Sequence, residues 1–249
     1  MTNFYFIDTN LIIGYCNPLD RLYDVTIQFF KDKKDRNTFL LFTVQEEFYK
    51  KLIKEQYNFI NKVLGYHTQL TFPELKNVIQ KRKKSPKFKD MNFLKYILKL
   101  FLDNKIKIIT YSSCMEIFNQ YYQKLKLRFD NLVKNWIKKP HMLDHQLIYH
   151  DKIYIHYLDI LKNHIHDPDR KHLALACYEV KLRNLRNRDH NYFFYTDDQD
   201  WIDNKLETCI NIKNLFIKKI SYEKTGSKKF NPFTKKFDID LLKYIPNGT

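Results

Sequence analysis

Several acidic residues of this chain lie where a predicted strand or helix begins or ends. Asp8 ends the apolar run Phe4-Tyr5-Phe6-Ile7, and the pair Glu46 and Glu47 follows a second apolar run at 39–42. The full set is Asp8, Glu46, Glu47, Asp167, Asp169, Asp197, Asp198 and Asp200. In open α/β sheets, sites form at the carboxyl ends of the strands. Carboxylates gathered at such an edge predict a site for a hard divalent cation, Mg²⁺ or Mn²⁺.

The chain is strongly basic, and its positive charge is concentrated in two stretches. The formal net charge is +16 at pH 7. The segment from Lys76 to Lys139 contains 17 lysines and arginines but only four acidic residues. The segment from Lys213 to Lys236 contains eight lysines and one acidic residue, Glu223. Such segregation is typical of binding to a phosphate backbone, although a solvated lysine-rich face would look the same. We expect nucleic-acid contacts at Lys81, Arg82, Lys83, Lys84, Lys228 and Lys229.

The composition excludes several classes of protein. The 249 residues include only four glycines, so no glycine-rich nucleotide-binding loop or serine-hydrolase elbow can be built. The four cysteines form no CxxC pair, which favours buried thiols in a reducing compartment. The amino terminus lacks the pattern of a signal peptide, and no uncharged run approaches the ~20 residues needed to cross a bilayer. We therefore expect a soluble, cytoplasmic protein with no membrane partner.

The pattern of apolar residues predicts an α/β fold. Strands are predicted at 3–8, 38–43, 105–110 and 192–196, and near Ile210–Ile217. Helices are predicted after Asn10, over 44–63 with Thr43 as the cap, at 94–102, at 117–125, and from Pro168 with Asp167 as the cap. Because strands and helices alternate, the sheet should be mainly parallel and flanked by helices.

Two segments interrupt this alternation. Residues from about 65 to 104 form a basic, partly helical insertion, and residues from about 130 to 165 are predicted to mix helix and loop around Pro140. No internal repeat or flexible linker divides the chain, so residues 1–249 are predicted to form a single domain.

Each acidic position also has a purely structural explanation. Asp8 could cap a helix, and Glu46 and Glu47 could be first-turn charges favoured by the helix dipole. Asp197 or Asp198 could shape a turn. Among the histidines, His164 and His166 could bind a metal but have no other predicted ligand nearby, and His172 is predicted to pack within its helix. A metal site is favoured because all the acidic groups fall at the same predicted edge of the sheet.

Four short motifs, in order, resemble those of the PIN-domain nucleases. They are Ile7-Asp8-Thr9-Asn10, Val44-Gln45-Glu46-Glu47-Phe48, Asp169-x-x-His172-Leu173-Ala174-x-Ala176, and Thr196-Asp197-Asp198-Gln199-Asp200-Trp201. The resemblance covers roughly 1–64, 105–129 and 166–217. It implies a PIN-like fold and a metal-dependent endoribonuclease.

The resemblance also implies roles for individual residues. Asp8, Glu47, Asp169 and Asp198 would be the catalytic, metal-binding carboxylates, and Asp200 would be an additional ligand or a group that supports them. Asn10 and Thr196 would orient these carboxylates by hydrogen bonding. Glu46 competes with Glu47 for its role, and Asp167 is predicted to cap the helix whose first turn carries Asp169.

The leading hypothesis is cleavage of RNA, single-stranded or structured, at a carboxylate-held Mg²⁺ or Mn²⁺. DNA is an alternative substrate, and an inhibitor protein or a second copy of the chain are alternative partners. A different class of function is a non-catalytic, RNA-binding scaffold with the same fold. A phosphoacceptor domain also has aspartates at strand ends, but Asn10 stands where that pattern needs a second aspartate.

Overall fold

A computed structural model describes most of the chain. The described residues are 2–32, 37–81, 92–138, 145–186, 190–198, 201, 206–212 and 214–220. Among them, no helix has both the length and the apolar character needed to cross a membrane. The four cysteines are all free thiols, and three of them are buried.

A five-stranded parallel sheet forms the centre of the protein. Its strands are β1 (Thr2–Ile7), β2 (Thr38–Phe39), β5 (Ile137–Lys138), β6 (His190–Thr196) and β7 (Leu215–Lys219), in the order β5-β2-β1-β6-β7. Every neighbouring pair is parallel, and β1 runs beside β6 from Thr2 opposite His190 to Ile7 opposite Tyr195. This confirms the predicted α/β class with a parallel sheet flanked by helices.

Ten α-helices are described around the sheet. They are α1 (Thr9–Cys16), α2 (Tyr23–Asp32), α3 (Phe42–Phe59), α4 (Phe72–Lys81), α5 (Asn92–Leu102), α6 (Tyr111–Trp136), α7 (His145–Tyr149), α8 (Lys152–Leu161), α9 (Asp169–Arg186) and α10 (Leu206–Ile210). A π-helical turn, Ile60–Leu64, extends α3. Two short strands, β3 (Gln69–Thr71) and β4 (Ile108–Thr110), pair antiparallel in a separate sheet.

Aromatic residues hold the central strands together. The Phe4 and Tyr192 rings stack across β1 and β6 with centroids 5.5 Å apart, and the Phe6 and Phe194 rings stack in the same way at 6.4 Å. Trp201 is fully buried against Phe194. Cross-strand aromatic contacts of this kind stabilise a sheet beyond simple burial. They fix the register of β1 and β6, whose carboxyl ends carry Asp8 and Thr196.

Helices α1 and α2 pack unusually closely at Gly14. A Cβ atom at that position would lie 2.8 Å from Cβ of Leu22 and 3.0 Å from a methyl carbon of Thr26. The absence of a side chain at Gly14 therefore lets α2 lie against α1. This contact holds the helix whose first residues, Thr9 and Asn10, belong to the site described below.

The structure corrects several predicted elements. The predicted strand at 105–110 is not part of the central sheet, because β4 pairs instead with β3, which lies in the basic insertion. The predicted mixture of helix and loop from 130 begins as regular helix, since α6 continues to Trp136 and is followed by edge strand β5. The apolar pattern after Asn10 is divided between two helices, because Asn17 ends α1.

Two predicted helix caps are also wrong. Helix α3 begins at Phe42 after Leu41, which forms no side-chain cap, so Thr43 lies inside the first turn. Helix α9 begins at Asp169, one residue later than predicted. The Asp167 carboxylate bonds to the side chains of Arg170 and Lys171.

Candidate metal centre

The topology of the sheet creates a crevice beside the carboxyl end of β1. The chain passes from β1 to β2 on one side, and β6 is added later on the other side. Ligands of parallel α/β sheets bind at such a switch in strand order. Asp8 directly follows β1, and its backbone N–H donates to the Tyr195 carbonyl at the end of β6, 3.0 Å away.

Three carboxylates and one imidazole meet in this crevice. Asp8, Glu47, Asp169 and His172 each offer one ligand atom, and these atoms all lie within 4.8 Å of one another. We call these four residues the acidic cluster. Asp8, Glu47 and His172 are buried, and Asp169 is partly exposed. Buried carboxylates this close together repel one another unless positive charge compensates them.

Asp8 combines a structural role with its place in the acidic cluster. It is the N-cap of α1, and one of its carboxylate oxygens accepts the Thr9 backbone N–H at 2.6 Å. The other oxygen accepts the Thr196 hydroxyl at 3.1 Å. The Thr196 hydroxyl in turn accepts the Asp198 backbone N–H at 3.0 Å. Thr196 therefore orients Asp8 through a hydrogen bond, while Asp8 caps the helix.

Glu47 and Glu46 point in different directions on α3. Glu47 is buried in the acidic cluster, whereas the side chain of Glu46 is 54% exposed and lies 3.5 Å from Lys50. Both residues lie in the second turn of the helix, beyond the first turn where the helix dipole acts most strongly. The structure therefore brings only Glu47 of this pair into the cluster.

His172 joins α9 to α3 inside the cluster. Its Nε2 atom lies 2.7 Å from a carboxylate oxygen of Glu47, and its Nδ1 atom lies 2.8 Å from the Thr43 hydroxyl. The Thr9 hydroxyl donates to the same Glu47 oxygen. Since an ionised carboxylate only accepts hydrogen bonds, Nε2 carries a proton in this arrangement. His172 thus packs in the core, as the sequence predicts, but it also bonds to a cluster carboxylate.

Asp169 enters the cluster from the first turn of α9. Asp167, two residues earlier, lies outside the cluster and forms ion pairs with Arg170 and Lys171 at 2.9 and 3.1 Å. His172 is three residues after Asp169, so both side chains fall on the same side of the helix. This spacing explains why one short motif supplies two members of the cluster.

The environment shifts the pKa of each carboxyl group differently. Burial raises the pKa of Asp169 to about 6, and the neighbouring charges of Asp8 and Glu47 add to the rise. Burial also raises the pKa of Asp8. Burial alone would raise the pKa of Glu47, but hydrogen bonding to His172 and the charge of Lys51 outweigh it and lower that pKa to about 2. Glu47 is therefore the carboxylate of the cluster that ionises most readily.

Lys51 supplies a positive charge at the edge of the cluster. Its Nζ atom lies 2.9 Å from the second carboxylate oxygen of Glu47 and donates to the Asn10 side-chain oxygen at 3.2 Å. Asn10 therefore orients Lys51, and through it Glu47. This differs from the predicted role of Asn10, in which it would bond to the carboxylates directly.

The structure does not bring every predicted site residue together. Asp198 is described but is not one of the four residues whose ligand atoms lie within 4.8 Å of each other. Asp197 forms an ion pair with Arg21, and Asp200 lies outside the described residues. Of the predicted nucleic-acid contacts, Lys81 is exposed at the end of α4, and Arg82, Lys83, Lys84, Lys228 and Lys229 lie outside the described residues.

The comparisons with known proteins add no family to this description. No protein-family model, no curated protein and no solved structure matches the chain.

Proposed function

We propose that the protein is a metal-dependent endonuclease, an endoribonuclease related to the PIN-domain nucleases. The observation that carries this proposal is the convergence of Asp8, Glu47 and Asp169 from three separate elements at the switch point of the sheet. A scaffold that only binds RNA has no evident need to hold three carboxylates side by side. The net charge of +16 on the same chain suits a polyanionic substrate.

The residues of the cluster fit a hard divalent cation. Carboxylate oxygens are the protein ligands that Mg²⁺ and Mn²⁺ prefer. The raised pKa of Asp8 and of Asp169 reflects a cost of ionisation that a bound cation would relieve. We assign Asp8, Glu47 and Asp169 as ligands. His172 would orient Glu47 by donating a hydrogen bond to it, as N–H donors commonly do for metal-bound carboxylates.

The chemistry follows from the charges. A bound divalent cation would supply charge neutralisation at the phosphate and an activated water. The chain's own residues hold the carboxylates in place: Thr196 bonds to Asp8, while His172 and Thr9 bond to Glu47. Lys51, at the rim, compensates part of the negative charge of the cluster through its ion pair with Glu47. No protein nucleophile is required.

We also propose Asp198 as a further metal ligand, as the resemblance of the motifs implies. Its backbone N–H bonds to Thr196, which also bonds to Asp8, so Asp198 is attached to the cluster through one shared hydroxyl. RNA is proposed as the substrate from the resemblance of the motifs, and the charge of the chain would suit DNA equally well.

Cleavage of labelled single-stranded RNA tests the proposal. Wild type should cut the RNA in the presence of Mn²⁺ or Mg²⁺ but not in EDTA. Asp8→Asn and Asp169→Asn should each abolish metal-dependent cutting, whereas Asp167→Asn, two residues from Asp169 but outside the cluster, should retain it. Binding of RNA without cutting under all these conditions would favour the scaffold function instead. Parallel assays on single-stranded DNA of the same sequence would show which nucleic acid is preferred.

A further inference from the structure

A second polar pocket lies next to the acidic cluster. It has a volume of about 390 Å³ and is bordered by α1, α3, α5 and the turn between α1 and α2. Asn10 and Lys51 both line it, and Lys51 also bonds to Asn10 and forms the ion pair with Glu47 of the acidic cluster. The pocket therefore adjoins the proposed catalytic site.

One face of α3 leads from the cluster into this pocket. Lys51 lies four residues after Glu47, the adjacent residues Lys54 and Glu55 lie three and four residues after Lys51, and Asn58 lies three and four residues after that pair, which places all five on one side of the helix. The last four of these residues line the pocket. At a rise of about 1.5 Å per residue, Lys54 lies roughly 10 Å along the helix from Glu47. That distance suits a nucleic acid that extends beyond the phosphate cleaved at the acidic cluster.

Four cationic side chains line the pocket, and two of them are suited to bind an anion. Arg21 is already paired with Asp197, and Lys51 with Glu47. Among the described residues, Lys54 and Lys95 form no ion pair with an acidic group. Lys54 is exposed, and Lys95 is partly buried with its Nζ atom 3.4 Å from the Asn92 side-chain oxygen.

The two carboxylates of the pocket are bound to protein groups instead. Asp20 accepts the Leu22 backbone N–H at 2.9 Å and the Asn92 side-chain N–H at 2.8 Å. Glu55 accepts the Phe93 backbone N–H at the start of α5, 2.9 Å away. Burial raises the pKa of Glu55 to about 7, which reduces its negative charge near neutral pH. Since four cationic and two acidic side chains line the pocket, its lining carries a formal excess of positive charge.

We propose that this pocket binds the nucleotide next to the scissile phosphate of a single-stranded nucleic acid, with Lys54 and Lys95 contacting a backbone phosphate. This inference rests on the proposed function. A cavity of this size holds a group the size of one nucleotide. A nucleotide can enter it only if it is not held in a duplex, so the pocket would select unpaired substrates. Helix α5, which lies in the basic insertion, forms one wall and gives that insertion a role.

Binding measurements with defined probes test the pocket. An eight-nucleotide fluorescein-labelled oligouridylate and a labelled blunt RNA duplex would be titrated by fluorescence anisotropy in EDTA, where metal-dependent cutting is absent. The proteins compared would be wild type, Lys54→Ala/Lys95→Ala, and the control Lys62→Ala/Lys126→Ala. The control removes the same charge from exposed lysines outside the pocket. A further variant, Asn58→Trp, would fill the pocket without changing its charge.

The proposal predicts that the pocket pair weakens oligouridylate binding by about tenfold, equivalent to ~1.4 kcal/mol. The slope of log K against log salt should fall by about 0.7 for one lost phosphate contact. Asn58→Trp, with an unchanged melting temperature, should weaken binding of the single strand similarly. The control pair should change it less than twofold, and the two lysine pairs should affect the duplex equally.

Equal losses of single-strand affinity in the two lysine pairs, or no effect of Asn58→Trp, would overturn the proposal. Cleavage of the same oligouridylate by wild type in Mn²⁺ separates the two claims. If wild type cleaves the oligouridylate while the two lysine pairs lose equal single-strand affinity, the nuclease function is supported and the pocket is not the nucleotide-binding site. A loss specific to the pocket variants without any cleavage would confirm a nucleotide-sized binding site and contradict the proposed catalytic function.

Discussion

The Nε2 atom of His172 lies 2.7 Å from a carboxylate oxygen of Glu47, which is 125 positions away in the sequence. This contact connects α9 to α3 within the acidic cluster. Glu47 accepts from His172 and Thr9 at one oxygen and contacts Lys51 at the other. Glu47 is therefore the most firmly held carboxylate of the cluster, and its lowered pKa follows from these bonds.

Replacing His172 should damage both stability and metal binding. His172→Phe keeps a ring in the buried position but leaves the Glu47 oxygen without its strongest donor. We expect the free energy of unfolding to fall by about 1–3 kcal/mol. We also expect Mn²⁺ to bind about 10–100-fold more weakly. Urea unfolding and titration calorimetry would measure the two effects, with His166→Phe, at an exposed residue, as the control. Unchanged Mn²⁺ affinity in a folded His172→Phe protein would show that His172 does not support the site.

The raised pKa of Asp169 predicts a specific dependence of stability on pH. Its folded pKa is about 6 and its ordinary value is 3.8, so the folded protein binds more protons between these values than the unfolded chain does. Stability therefore falls as pH rises through this window. Without metal, Asp169→Asn should be more stable than wild type at pH 7.5, by about 1–3 kcal/mol, and equally stable near pH 3.5.

Urea unfolding in EDTA at the two pH values would check this prediction. Asp167→Asn is the matched control, because ion pairs with Arg170 and Lys171 lower the pKa of Asp167 against the opposing effect of burial. That variant should be less stable than wild type at pH 7.5, the opposite sign. A stability difference for Asp169→Asn that is the same at both pH values would contradict the assigned shift.

Gly14→Ala should destabilise the protein although alanine favours helices. The new Cβ would lie 2.8 Å from Cβ of Leu22, which has no flexible end that can move away. We expect a net loss of about 1–3 kcal/mol, since overpacking exceeds the gain of ~1 kcal/mol in helix propensity. Thermal unfolding would measure the change. A stabilised Gly14→Ala protein would show that α1 and α2 separate without cost.

The sequence predicts the two central strands, β1 and β6, because the relevant patterns are local. The apolar run before Asp8 and the aromatic run before Thr196 both become central strands, and they end where the polar residues begin. Strand β4 was assigned to the wrong sheet because its pattern does not reveal its partner. Its partner β3 lies in the basic insertion, so the pairing depends on how that insertion folds back toward the chain that follows it.

The acidic cluster is predictable in part. Asp8 could be selected because it follows β1, Asp169 because it begins α9, and Glu47 because its motif lies shortly after a predicted strand at the same edge of the sheet. The contact of His172 with Glu47 could not, because a histidine on an apolar helix face looks the same whether or not a carboxylate packs against it. Its position three residues after Asp169 was the feature of the sequence that indicated a place near the cluster. Another contact that the sequence does not predict joins the Cys209 thiol to the ring of His164, 3.4 Å away.

The neighbouring residues Glu46 and Glu47 offer the most direct test of the central claim. Glu47→Gln and Glu46→Gln make the same chemical change on the same helix, but only Glu47 belongs to the acidic cluster. The measurement is the initial rate of cleavage of a labelled single-stranded RNA in Mn²⁺, with EDTA as the blank. We predict that Glu47→Gln lowers the rate on the order of 100-fold or more, because it removes a charge that holds the cation. Glu46→Gln should stay within about twofold of wild type, since surface ion pairs contribute little. Equal rates for the two folded variants would contradict the assignment of the acidic cluster as the catalytic metal site.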